Sequence, residues 1–328
     1  MNRWVIACFL ACWLYLPAQV SAQPSRPVAK AASTASYTPP RTPDGQPDLQ
    51  GYWSNATLTP LERPAQFANK AVLTPEEAAA YEKQLQVEGN RDRRGESAEA
   101  DVNGAYNQFW YDRGKGIVGS RRTSLVIDPP DGKIPPLTPE AQKRVDSTRA
   151  YNAAHPADGP ENRSLAERCI LWGTAGPPMM PGPYNNAYHI VQTKEYVMIL
   201  VEMIHDARII PLDNRPHLPG TVRQWMGNPR GHWEGNTLVV DSTGFNGKAP
   251  FHGSDQNLHL TERFTRVAPD TLQYEFTVDD PTAFTKPWTV QVPFSRTEGP
   301  IFEYACSEGN YAMTDMLAGA RAAEKGDH

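Results

Sequence analysis

The chain has 328 residues and a formal charge of −5, with 31 prolines and 24 glycines. This mildly acidic balance offers no basic footprint for nucleic acid or anionic lipid. The length suits one large domain or two small ones, and the proline and glycine content favours extended, turn-rich structure over a helical protein.

Residues 1–22 read as a cleavable secretory signal. Met1-Asn2-Arg3 supplies the positive start, Trp4 to Leu16 the apolar run, and Val20-Ser21-Ala22 a small-x-small site cut near Gln23. The apolar run is too short for a comfortable membrane span, and no later segment is apolar for long enough. The expected location is the periplasm or the medium. Loss of the leader removes Cys8 and Cys12 and leaves Cys169 and Cys306. In an oxidising compartment this pair most simply forms one disulfide, the alternative being two inert buried thiols. No Cys/His spacing for structural zinc is present.

Residues 23–36 are rich in Ala, Ser, Pro and Lys and predict a disordered arm, and residues 37–328 a single domain. In Tyr37–Phe67 the prolines exclude regular helix, Asp44-Gly45 signals a turn, and Leu49, Tyr52 and Trp53 offer anchors. An extended strap lying on the main body is the expectation. Thr74-Pro75-Glu76-Glu77 announces a helix running to about Val87, and Thr138-Pro139-Glu140 a second running to about Ala153. Between them, Arg122–Asp128 reads as a strand ending in a tight turn.

From Asn186 the pattern becomes that of strands: Tyr188–Gln192, Tyr196–Met203, Ala207–Leu212, Asn236–Ser242, Leu258–Thr265, Thr271–Val278, Trp288–Phe294 and Ile301–Cys306. Strict alternation in Thr271–Val278 and Lys286–Phe294 marks half-buried antiparallel strands. Gly235-Asn236 is hairpin chemistry. The fold class expected is mainly β, a β-rich α+β domain. A meander over 186–306 would close into a barrel or a strongly curved sheet, with strap and helices from 37–185 packed on it. About eight strands suffice to close a barrel around a small ligand, and the aromatic content suffices to line a pocket. Met313–Ala323 reads as a short terminal helix. Glu161–Tyr184, with Gly173-Thr174-Ala175-Gly176-Pro177-Pro178, is a long irregular connection without the strand–loop–helix context of a phosphate loop.

Histidines and acids interrupt the apolar strands, and burying such groups beside Val, Ile and Leu demands partners. In His205-Asp206-Ala207-Arg208, an acid can fix an imidazole tautomer and an arginine can clamp an anion; the blander reading is an ion pair of Asp206 with Arg208 or Arg223. His232 and Glu234 share one strand face beside Trp233. They suit acid–base work or, equally, a Trp-anchored turn with solvated neighbours. His259, Thr261 and Arg263 share a face opposite Leu258, Leu260, Glu262 and Phe264. Glu262 is thus the acid among apolar neighbours, a candidate for a raised pKa or for pairing with a base on a neighbouring strand. His189, Glu202, His205, His232, Glu234 and His259 match no ligand spacing, and Arg208 and Arg263 would repel a cation, so no metal and no cofactor is expected. No serine-hydrolase elbow is present.

The segments Thr42-Pro43-Asp44-Gly45-Gln46-Pro47-Asp48-Leu49-Gln50-Gly51-Tyr52-Trp53 and Arg230-Gly231-His232-Trp233-Glu234-Gly235-Asn236-Thr237-Leu238-Val239-Val240 resemble a family of uncharacterised exported bacterial proteins. The resemblance extends to Leu258–Phe264 and Glu303-Tyr304-Ala305-Cys306. It implies export and a whole fold and supplies no activity. The meander is more loosely similar to lipocalin-like barrels, a likeness of architecture from which function does not follow. The expected function is an exported lyase or hydrolase acting on a small organic or carbohydrate-derived substrate. His205, His232, Glu234 and Glu262 are its candidate acid–base groups, and Asp206, Arg208, His259, Arg263 and Trp233 its binding groups. The alternative is a periplasmic β-barrel binding or carrier protein without catalysis.

Overall fold

Alternation fixes the centre of the sheet. In β8 (His259–Ala268), β9 (Thr271–Asp279) and β10 (Trp288–Thr297), alternate residues are buried along most of each strand. The buried rows include Leu260, Glu262 and Phe264; Leu272, Tyr274, Phe276 and Val278; and Trp288, Val290, Val292 and Phe294. Register stacks these rows: Glu262 faces Phe276, and Phe276 faces Val290. Each such large apolar side chain contributes roughly 1.5–3 kcal/mol by leaving water.

The computed structural model describes residues 37–92, 97–98 and 108–326, with only the backbone at 205. The remaining strands are β1 (Gly51–Ser54), β2 (Val126–Asp128), β3 (Ala187–Gln192), β4 (Tyr196–Val201), β5 (Ala207–Pro211), β6 (Asn228–Glu234) and β7 (Thr237–Thr243). All pairings between them are antiparallel, in the order β5-β4-β3-β1-β10-β9-β8-β7-β6, with β2 on β10. The sheet curls strongly and does not close into a barrel: its edge strands β5 and β6 share no ladder. They do touch. A Cβ at Gly231 would lie 2.7 Å from Leu212 Cδ2 and 2.8 Å from Ile210 Cγ2, so the edges meet by side-chain packing on bare backbone.

Among the described residues three α-helices of several turns accompany the sheet. In α1 (Pro75–Glu88), Thr74 and Glu77 form a reciprocal capping box, and Ala78 and Tyr81 pack with Leu73, Phe67 and Ile117. In α2 (Pro139–Ala154), Thr138 caps the start and Ala141 is buried against the core. The third, α3, spans Ala312–Lys325. The signal and the arm expected over 1–36 lie outside the described residues.

Three expectations for the strands need correction. Gly51–Ser54 does not lie on the sheet as part of a strap; it is a strand inside it, between β3 and β10, with Trp53 fully buried. Ile301–Cys306 is not a strand, because β1 already occupies the free side of β10. The Phe302 amide instead donates to Glu202 Oε1 at 3.0 Å. Asn228–Glu234, in which only a hairpin entry was expected, is a full strand; Pro229 is tolerated because β6 is an edge. Cys169 and Cys306 form the disulfide, with Cα atoms 5.6 Å apart and 137 residues of separation.

Candidate functional site

The interior of the curled sheet holds a charged network. Arg208 on β5 reaches across to Glu262 on β8, Nη1 to Oε1 at 3.0 Å and Nη2 to Oε2 at 2.5 Å. The Tyr274 hydroxyl donates to Glu262 Oε1 at 2.7 Å and accepts from the Met179 amide at 3.1 Å. Arg208, Glu262 and Tyr274 are all buried. Burial opposes the Arg208 charge, but the Glu262 carboxylate more than restores it and lifts the guanidinium above its ordinary value. Burial first and Glu262 second push the Tyr274 hydroxyl well above a normal tyrosine. Every carboxylate oxygen of Glu262 is thus engaged inside the core. Chemically this is a brace, tying the sheet's edge to its middle, and the pairing of Glu262 with a base is the arrangement realised. The partner is not on an adjacent strand, as expected, but across the interior. Arg208 consequently is not paired with Asp206.

The outer face carries two exposed clusters. His232 Nε2 meets Glu234 Oε1 at 3.2 Å, and Arg263 Nη2 donates to Glu234 Oε2 at 2.8 Å. Arg263 first and His232 second hold the Glu234 carboxyl below its ordinary value. His232 and Glu234 are each about half exposed, at 49% and 50% of side-chain surface, which makes this a solvated surface triad. Trp233, between them, turns to the other face and packs on the core.

The second cluster centres on Asp241 of β7. His217, from the connection between β5 and β6, places Nε2 2.8 Å from Asp241 Oδ1 and Nδ1 2.9 Å from the Asn228 carbonyl. His259 Nε2 contacts Asp241 Oδ2. The bond to Asp241 raises the His259 pKa, and the same bond lowers that of Asp241.

His205 and His232 are not brought together. The backbone of 205 sits in the turn Met203–His205 between β4 and β5, whereas His232 lies near the β6–β7 turn. Strand directions put those two turns at opposite ends of the sheet. His189 stacks on Tyr52 with ring centroids 4.3 Å apart. Among the described residues no three His, Cys, Asp or Glu are grouped so as to hold a metal ion.

The arrangement best suited to a ligand is a cavity of about 310 Å³ at the end of the sheet where β7 leads to β8. One wall is the irregular connection, with Leu165, Leu171 and Trp172; the other is the β7–β8 connection, with Phe245, Lys248 and Phe251, and Trp225 closes it. Phe251 anchors this end to the core, stacking on Trp288 with centroids 5.8 Å apart. Cavities of about 570 and 470 Å³ are larger, but the first is wide open, no aromatic ring lines either, and neither is as enclosed. Asp255 also lines the aromatic cavity, its Oδ2 3.3 Å from Arg144 Nε.

Sequence reasoning missed His217, Asp241, Trp172, Trp225 and Lys248 as site residues. Asp241 had a signal, as the outward acid ending the apolar run Leu238–Val240. The two tryptophans had none, because they lie in segments without periodicity.

No protein-family model matches the chain, and no curated protein matches it. Among solved structures it is similar to the fluorescent protein UnaG, at 14% identity over 34% of this chain and 72% of that one, with a TM-score of 0.23. A single-substitution mutant of UnaG aligns at 13% identity over 41% of this chain and 86% of the mutant chain, TM-score 0.24. At those scores the likeness carries no argument.

Proposed function

We propose that this protein binds a small, ring-bearing organic molecule in the cavity between the 164–177 and 245–258 segments. The observation that carries the reading is the wall of Trp172, Trp225, Phe245 and Phe251 around a half-open space of about 310 Å³. That volume falls at the low end of the roughly 300–1,000 Å³ typical of ligand cavities, and ring faces are the surface that planar apolar molecules stack on. The reading is lipocalin-like in using a curled sheet as scaffold. It differs in placing the ligand at the sheet's end, because the interior is filled by side chains. The Cys169–Cys306 disulfide beside this end supports a location outside the cytoplasm, as the leader read over residues 1–22 also does.

The test is titration with the neutral probe N-phenyl-1-naphthylamine, whose emission rises in apolar surroundings. Saturable one-to-one binding is expected, lost in Ala249→Trp, which fills the cavity from its rim. Unchanged binding in that variant, with an unchanged Tm, would sink the proposal.

A second reading, the exported lyase or hydrolase, rests on Asp241. Its carboxylate orients His259 through Nε2, and among the described residues His259 Nδ1 has no partner and is left for a substrate proton. On this reading His259→Gln and Asp241→Asn abolish turnover of a substrate held on the outer face at Asp241, with Tm near that of the native protein. Equal turnover in the variants would end it.

A further inference from the structure

Resting on the cavity reading above, we infer that the ligand is anionic: an aromatic ring system carrying a carboxylate or a similar acid group, received by Lys248. The lysine lines the cavity from an exposed position. Its backbone is fixed, the amide donating to Asn246 Oδ1 at 2.9 Å. Among the described residues its ammonium has no ion-pair partner.

The remaining charges around the cavity favour the same sign. Asp255, the carboxylate in the wall, is already matched by Arg144 at 3.3 Å. Glu167, which accepts from Ser164 at the opposite wall, is held by Arg163 at 2.5 Å. Arg223 spends its guanidinium on the carbonyls of Phe245 at 3.1 Å and Gln256 at 2.7 Å, where neutral acceptors leave its charge uncompensated. The local field is therefore positive, and an acid group entering between the rings meets Lys248 with Arg223 behind it. A carboxylate partly withdrawn from water among aromatic walls gains more from such a cation than it would on an open surface. A cationic ligand would face Lys248 and Arg223 with no unmatched acid to receive it.

The experiment is calorimetric titration of a matched pair, 1-naphthylacetate and its neutral isostere 1-naphthaleneethanol, against the full chain at low salt. The acid is expected to bind about ten times more tightly, with the preference shrinking as sodium chloride screens the charge. Lys248→Gln is expected to remove most of the preference for the acid, leaving the small part that Arg223 supplies, and to leave the alcohol unchanged. Equal affinities in the native protein, or a preference undiminished by Lys248→Gln, would overturn the inference while the ring cavity stands. Tighter binding of 1-naphthylmethylamine than of the acid would overturn it in favour of Asp255. Failure of all three molecules to bind would take down the cavity reading itself.

Discussion

The inside of the curled sheet and the cavity at its end treat polar groups in opposite ways. Inside, both oxygens of Glu262 are engaged by Arg208 and Tyr274, Arg208 Nε alone of this trio lacking an acceptor, and large rings fill the space around them. At the end, aromatic faces border an open volume, and Lys248 stands there without a counter-ion among the described residues. A buried charge held by its counter-charge is scaffold. Ring faces and a charge that lack partners mark the place where a molecule from outside completes the contacts. The difference teaches that chemical oddity in a strand is a weaker sign of function than unfinished contacts around a space.

The largest effect should come from the interior. Glu262→Gln leaves the Arg208 guanidinium buried without its counter-charge, a loss of about 3–5 kcal/mol by analogy with other broken buried pairs. Thermal denaturation should show a large fall in Tm, or an unfolded product, and any folded fraction should bind ligand normally. A Tm within a few degrees of native would mean that the brace is not structural.

Next comes the disulfide. Reduction of Cys169–Cys306 frees a loop spanning 137 residues, and a loss of about 2–4 kcal/mol is expected in urea titrations. Ligand affinity should fall with it, since Leu165 and Trp172 lie on the tethered connection. Reduced protein with native affinity would separate the cavity from that tether.

A smaller, pH-dependent effect belongs to Asp241 and His259. The lowered Asp241 contributes stability that is lost as pH falls through its folded pKa, and the raised His259 contributes stability that is lost as pH rises through its own. The difference in Tm between the native protein and His259→Gln should peak near about pH 6 and shrink toward about pH 9 and about pH 2. A difference that does not vary with pH would show that the pair is not coupled. The smallest effect is on the exposed triad: His232→Ala should change stability by no more than about 0.5 kcal/mol in the same urea titration and leave ligand affinity alone.

Much of the fold was legible because local signals and burial agreed. Thr74 and Thr138 announced their helices, and alternation in Thr271–Val278 announced β9. Glu262 was legible as a buried acid. Its partner was not, because Arg208 lies 54 residues away and meets it only when the sheet curls. His205 and His232 were both candidate acid–base groups, and strand direction, which residue spacing does not carry, sends their segments to opposite ends. The cavity was illegible for another reason. Trp172 and Trp225 come from irregular connections whose course is set by the disulfide and by tertiary hydrogen bonds such as Gln224 N to the Gly244 carbonyl at 2.9 Å.

The central claim, that the sheet's end rather than its interior or its outer face receives the ligand, is met most directly by a crystal structure of the protein with 1-naphthylacetate. The naphthyl ring should lie between Trp172 and Trp225 above Phe251, with its carboxylate toward Lys248. Ring density beside His232 and Glu234, at Asp241, or in the wider cavity of about 570 Å³ would contradict the account if the space between the two tryptophans were empty.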